Sequence, residues 1–359
     1  MSMRVRSFDL ARGVAIFCVV LMHNTLNGTY TPLSLVIGSL LHNAATVGVP
    51  VFFFLSGYLV VFDRQTTIGP YMCRKIDRVL IPAWCWTIIF WLLLGLVGSD
   101  RSFDLRDLLV RLFFMTDPSQ YYFVFVLMLL YPVAFWSRNL SPHVCFRLAM
   151  AMFAINLVIV AVYELLIWRS TVGELPAAPM YRNPLVWSGF FFYGFAVGRG
   201  DPTMSSKFFA WIHHHLIVSM LGAGLLLITT SLETFYLFWK QAPGGQDYFK
   251  VASFGYELIA LHLLLIGAQW IDKHDVLVTP LLFLGKYSFF IYLVHMPLVP
   301  KLIQTATTAI GIVLPPALAM FLGFVLSLGL PIALALLFTL GKGGPWMRQR
   351  IGRSFGIPI

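Results

Sequence analysis

Long apolar runs separated by short polar or basic stretches recur along the whole of the 359-residue chain. About ten of them read as membrane spans, since a helix needs roughly 20 apolar residues to cross a hydrocarbon slab of about 30 Å. They lie near 8–26, 46–62, 79–98, 120–137, 145–167, 184–199, 208–229, 251–271, 279–298 and 313–340. Several are short or interrupted, 184–199 among them. The stretch 32–45, between the first two, is too short to span alone and reads as re-entrant or interfacial. The pattern predicts an all-α polytopic membrane protein, a bundle of about ten transmembrane helices.

The first run, SFDLARGVAIFCVVLMHN from Ser7 to Asn24, carries two groups that a lipid-facing helix should not have. From Arg12 to His23, helical steps of about 100° return almost to the starting azimuth over a rise of roughly 16 Å. The two residues therefore share one face, with Arg12 near the membrane surface and His23 near the middle of the slab. Asp9, on the same face and one turn before Arg12, is placed to pair with it. A snorkelling topogenic arginine would account for Arg12 alone, and a hydrogen bond between helices for His23 alone. Ionisable groups at bilayer depth are costly, and two on one face favour a functional reading. They predict a polar central cavity in the bundle.

Composition agrees. The chain is 59% hydrophobic and 11% charged, against about 25% charged residues in soluble proteins. A net charge of +10 would suit nucleic acid, but the Lys and Arg gather in alternate loops, roughly two to one in favour of one side. That asymmetry places both termini in the cytoplasm and makes no case for nucleic acid. Cys18 and Cys85 lie in apolar runs, Cys73 precedes a basic cluster and Cys145 opens another run, with neither metal-ligand spacing nor a disulfide framework. No cleavable signal is evident, and no loop is large enough for a separate soluble domain. Residues 1–359 read as one membrane domain.

Further candidates lie along the chain. Ser56-Gly57, in VPVFFFLSGYLVVF, lets a helix or a ligand approach the backbone closely, and plain helix packing is the simpler use of such small residues. In YMCRKIDRVLIPAW, Arg74, Lys75 and Arg78 fall within two turns at the mouth of a span. Such a cluster suits phosphate, and equally suits positive-inside topology or anionic lipid headgroups. In LGKYSFFIYLVHMPLV, Ser288, Tyr292 and His295 form a polar stripe at helical spacing, which also fits hydrogen bonding between helices. Glu257 is a central acid able to orient or balance a histidine. Glu164 reads as near the outer surface, and His262 lies in an apolar run. The triple His213-His214-His215 is no metal site, because adjacent helical residues point apart. No G-x-S-x-G, Walker or H-E-x-x-H motif is present.

Taken in order, FDLARGVAIFCVVLMH, VFFFLSGYL, RKIDRVLIPAW and LGKYSFFIYLVHMP resemble the membrane acyltransferase family 3, integral O-acyltransferases of cell-envelope glycans. These patches run from Asp9 to Pro297. The resemblance implies an enzyme of about ten helices in the bacterial cytoplasmic (inner) membrane. It implies acetyl-CoA or another acyl-CoA as co-substrate, no metal, and a glycan or lipid-linked sugar hydroxyl as acceptor. Membrane lipids are its surroundings and nucleic acid is no partner. It further implies that His23 is the catalytic histidine, Arg12 its partner, and Arg74, Lys75 and Arg78 the acyl-CoA site. Asp9, Ser56, Glu257, Tyr292 and His295 are expected in substrate-binding or supporting roles. The family commonly shows two arginines with two residues between them, whereas here Lys75 and Arg78 have that spacing and Arg74 is adjacent. Where members often show Trp-Phe, this chain has Tyr121-Tyr122-Phe123. Some relatives carry an extra periplasmic hydrolase-like domain, and none is expected within these 359 residues.

Acyl transfer to an alcohol needs a base for the hydroxyl proton, and histidine titrates in the right range. It also needs donors or positive charge for the developing oxyanion. Direct transfer, with His23 as base, and an acyl-His relay both satisfy these needs. A transporter or flippase of a lipid-linked glycan or anionic solute would use the same polar core for passage. No inverted repeat supports it, and the order of the motifs speaks for acyl transfer.

Overall fold

The computed structural model describes residues 6–26, 31–96, 104–116, 118–169, 177–200, 205–240, 249–272, 275–295, 314–340 and 352–358. The basic residues Arg4, Arg101, Lys273, Lys301, Lys342, Arg348 and Arg350, and the end of the last motif at 296–299, lie outside them. Among the described residues every regular element is helical. In order these are α1 (Arg6–Asn24), α2 (Pro32–Ala45), α3 (Gly48–Val60), α4 (Ile68–Lys75), α5 (Ile81–Leu96), α6 (Leu105–Phe114), α7 (Tyr122–Ser137) and α8 (Pro142–Arg169). There follow α9 (Ala177–Arg182), α10 (Pro184–Gly198), α11 (Ser205–His214), α12 (Leu216–Trp239), α13 (Val251–Ile271), α14 (Asp275–Val294) and α15 (Pro316–Leu340).

Eight helical runs among the described residues are long and apolar enough to cross a membrane. α10, with 15 residues, and the apolar part of α14, Val278–Val294, are shorter than a span. The expected count of about ten therefore rests on these two, whose length alone does not support a crossing. Two boundaries differ from the sequence reading. The stretch 32–45 is not a separate re-entrant segment: Thr46 (φ −60°, ψ −27°) and Val47 (φ −56°, ψ −21°) keep near-helical backbone, so α2 runs on into α3 as one span of 29 residues. Thr31 and Ser34 close a reciprocal capping box at its start, with Pro32 in the first turn. The span expected at 208–229 is displaced, since α11 stops at His214 and the membrane-length helix is α12.

The chain forms two compact units. The first comprises residues up to Arg64 and Val133–Gly285. Its centre is α10, in which every residue from Val186 to Ala196 is buried. Asn183 caps it, accepting from the Leu185 N–H at 3.0 Å, and Pro184 follows at a position that needs no donor. α10 packs on α3 and α8. Gly57 lies against the Phe191 carbonyl and Gly194 against the Phe54 carbonyl, so a side chain at either would strike backbone. This reciprocal contact explains Gly57 as a packing residue, the simpler of its two readings. Aromatic rings fill the spaces around the crossing, Phe53 stacked on Trp187 at 5.1 Å and Phe153 edge-on to Phe190 at 5.1 Å. A second crossing of the same kind fixes α1: Gly13 meets the Leu281 carbonyl of α14, and Gly285 meets the Asp9 carbonyl.

The second unit comprises Gln65–Pro132 and the chain from Lys286 onward. Here α4 passes into α5 through a π-helical turn, Ile76–Leu80. Pro82 lies just beyond it. A proline lacks the N–H for the preceding turn and its ring crowds that turn's carbonyl, so the wider turn relieves the clash. Trp84 donates to the Leu112 carbonyl of α6 at 2.8 Å, and Trp86 to the Phe355 carbonyl at 3.2 Å.

Candidate active site

The first unit positions Asp9, Arg12 and His23 on one continuous helix. Arg12 donates from Nη1 to Asp9 Oδ1 at 2.9 Å, as the spacing predicts. The Asp9 side chain is 5% exposed and that of Arg12 28%, so the carboxylate is buried while the guanidinium reaches the surface of the unit. Because Gly285 sits on the Asp9 carbonyl, the backbone beneath the pair is clamped. His23 occupies the last turn of α1 rather than its middle, since the helix ends at Asn24.

Beyond His23 the polar side chains continue as a belt. Thr25 gives its hydroxyl proton to the Met22 carbonyl at 2.8 Å, which leaves its oxygen to accept from His42 Nδ1 at 3.1 Å. Asn43, next to His42, donates from Nδ2 to Thr234 Oγ1 at 3.0 Å. The Thr230 hydroxyl lies 3.3 Å from Asn43 Oδ1 and 2.6 Å from Ser253 Oγ. Tyr256 donates to the Ala44 carbonyl at 2.8 Å. The belt thus joins the end of α1 to α2, α12 and the first turns of α13, one turn before Glu257. Sequence reasoning passed over it. Its signal was a polar stripe at helical spacing, Ser39, His42, Asn43 and Thr46, within and just after the segment read as too short to span alone.

Glu257 is 5% exposed and borders a small cavity with Asn156 and Lys250. Lys250, the residue that precedes α13, is 1% exposed. Glu164 accepts from the Val251 N–H at 2.6 Å and so caps α13, a structural role. His262 is also structural: its Nδ1 donates to the Leu258 carbonyl at 2.7 Å, and its Nε2 accepts from the Tyr193 hydroxyl at 2.7 Å. Ser56 is partly exposed on α3 beside Gly57. The three adjacent histidines mark the α11–α12 junction, where all are exposed.

In the second unit Arg74 and Lys75 end α4 and Arg78 lies in the π-helical turn. Arg78 is exposed, and the other two are partly buried. The Lys75 ammonium stands 5.0 Å from the centroids of both Tyr71 and Tyr131, rings that meet edge to face. A cation held by ring faces stays a full positive charge. The stripe on α14 closes on the turn before α7: Tyr121 donates to the Leu293 carbonyl at 2.8 Å, and Tyr292 donates to the Gln120 carbonyl. His295 is fully buried, with Nδ1 donating to the Tyr292 carbonyl at 2.9 Å, which puts the lone pair of the neutral ring on Nε2. Gln120, 2% exposed beside this stripe, carried no sequence signal.

Two groupings result, one in each unit: an Asp-Arg-His face continued by a polar belt, and a basic helix junction with a tyrosine–histidine stripe. The first can hold a proton acceptor in a polar lining, and the second can bind anions. Among the curated proteins and among the solved structures, none matches the chain. The family model described as an acyltransferase domain matches residues 5–336, nearly the whole chain. With its apolar helices this makes the chain an integral membrane protein and an acyltransferase, and it belongs to acyltransferase family 3.

Proposed function

We propose that the protein is an O-acyltransferase that moves an acyl group, acetyl in the simplest case, from cytoplasmic acyl-CoA to a hydroxyl of a cell-envelope sugar or lipid-linked glycan. The observation that carries this reading is the Asp9–Arg12 pair sharing one helical face with His23, in a chain of the acyltransferase family. His23 is the base. The acceptor O–H gives its proton to the imidazole as its oxygen attacks the thioester carbonyl. The C–O bond forms, the C–S bond breaks, and the imidazolium returns the proton to the departing thiolate, giving an ester and free CoA. Arg74, Lys75 and Arg78 take the donor's phosphates, the arginines through paired N–H donors and the lysine as a point charge.

The excess of Lys and Arg in alternate loops supports cytoplasmic termini in a bacterial inner membrane. In that orientation α4 begins on the cytoplasmic side, where CoA is available, and His23 lies toward the outer end of α1.

The test is thiol release from acetyl-CoA by the detergent-purified protein. Wild type should release thiol, and His23→Ala should lower the rate by about 10²–10⁴-fold, the usual worth of a positioned base. Undiminished release by His23→Ala would remove the histidine from the mechanism. No release and no acetyl-CoA binding by folded wild type would favour a transporter built on the same polar residues.

A further inference from the structure

In the second unit a single turn, Ser119–Tyr121, leads into α7 and carries a buried amide. Gln120 is 2% exposed, and neither its Oε1 nor its Nε2 has a hydrogen-bond partner among the described residues. The donors beside it are already spent. The Tyr292 hydroxyl gives its proton to the Gln120 backbone carbonyl, and Tyr121 gives its own to the Leu293 carbonyl. His295 Nδ1 donates to the Tyr292 carbonyl. These bonds tie the turn to α14, with the Tyr292 ring 6.2 Å from that of Tyr121 and 5.5 Å from that of Phe123. A buried amide with both ends open costs stability, so Gln120 calls for an occupant that brings one donor and one acceptor.

Geometry narrows the occupant. The two polar atoms of a carboxamide lie on one edge, whereas a trans secondary amide points its N–H and C=O apart. One such group therefore cannot meet both. Two amides in series can, the N–H of one and the C=O of the next lining one edge as in an extended strand. α7 adds a second constraint. Nine residues along it from Tyr122, a rise of about 14 Å, stands Tyr131, whose ring centroid is 5.0 Å from the Lys75 ammonium. One helix thus has an open amide just before its start and a cation toward its other end. A chain with phosphate at its head and two secondary amides along its length matches both, and the pantetheine arm of CoA is such a chain. Fully extended, it reaches roughly 15 Å from phosphorus to sulfur, at about 3.5 Å for every three bonds. We propose that Gln120 is a donor-binding residue, its Oε1 accepting the N–H of the first amide of the arm and its Nε2 donating to the C=O of the second. The identity of the ligand rests on the acyl-CoA reading, and the requirement for two amides on Gln120 alone.

The experiment measures kcat/KM for thiol release by the purified protein from four acetyl thioesters. Acetyl-CoA is the full donor, acetyl-pantetheine keeps both amides without the nucleotide, S-acetyl-N-acetylcysteamine keeps one amide, and S-propyl thioacetate has none. Wild type is compared with Gln120→Leu and Gln120→Glu. Gln120→Leu removes a buried amide that lacks partners, so its thermal midpoint should be no lower than that of wild type. Its kcat/KM should fall about tenfold or more for acetyl-CoA and acetyl-pantetheine, less for the one-amide thioester, and not at all for S-propyl thioacetate. Gln120→Glu keeps an acceptor and loses the donor, and its losses should again be confined to the amide-bearing thioesters. Where a truncated thioester turns over too slowly, inhibition of acetyl-CoA turnover by pantetheine gives the same reading, and should weaken about tenfold in Gln120→Leu. An equal loss for all four thioesters would make Gln120 structural, and no loss for any would leave its amide to water. Either result overturns the proposal, as would a loss confined to acetyl-CoA, which would point to the nucleotide. If wild type releases thiol from none of the four, the donor reading itself fails and this inference falls with it.

Discussion

Arg12 in the first unit and Lys75 in the second are held in different ways. Arg12 in the first is tied to a buried carboxylate, Asp9, at 2.9 Å. Lys75 in the second stands between two tyrosine faces, each centroid 5.0 Å away. An ion pair is close to neutral and has little left for an incoming anion. Ring faces fix a cation without cancelling its charge. The comparison fits the proposal that the basic junction of the second unit takes the donor's phosphates and that Arg12 positions the helix face that carries His23. It also separates their tolerance to change. The first unit depends on backbone-to-backbone crossings at Gly57 and Gly194, whereas the basic junction of the second is built from long side chains.

The largest expected effect tests that tolerance. Gly57→Val places a branched side chain against the Phe191 carbonyl and should abolish recovery of folded protein, read as loss of a monodisperse peak after extraction. Replacement of Arg74 and Arg78 together by alanine should leave the fold intact and raise the KM for acetyl-CoA by roughly 10–100-fold, with kcat little changed. Asp9→Asn sharpens the contrast from the other side. It should lower kcat by about tenfold while the donor KM stays put, because Arg12 loses the partner that orients it. The smallest effect belongs to Lys75→Met, which removes a single point charge. A few-fold rise in donor KM is expected, shrinking as salt is added. A large fall in kcat for Lys75→Met, or a large rise in donor KM for Asp9→Asn, would reverse the assignment.

Local rules made part of this legible in the sequence. The Asp9–Arg12 pair follows from the geometry of one helical turn, and the shared face of Arg12 and His23 from a count of helical steps. The membrane class follows from composition. What escaped was tertiary. That α2 continues into α3 depends on Thr46 and Val47 keeping near-helical dihedrals, which their side chains do not announce. Lys250 counts as a loop charge in sequence and is buried in the fold because α8, α10 and α13 close around it. The π-helical turn at Ile76–Leu80 left only Pro82 as a trace, and the pairing of Lys75 with Tyr131 joins residues far apart in the chain. The position of His23 at the end of α1 depended on where the helix stops, the least readable feature of an apolar run.

The central claim of the proposal is that Arg74, Lys75 and Arg78 hold the donor and that His23 carries the chemistry. The most direct test measures acetyl-CoA binding and single-turnover acyl release side by side in wild type, His23→Ala and a triple alanine variant at Arg74, Lys75 and Arg78. The expected result is normal binding with lost release in His23→Ala, and lost binding in the triple variant. Normal release by His23→Ala, or wild-type affinity in the triple variant, would contradict it.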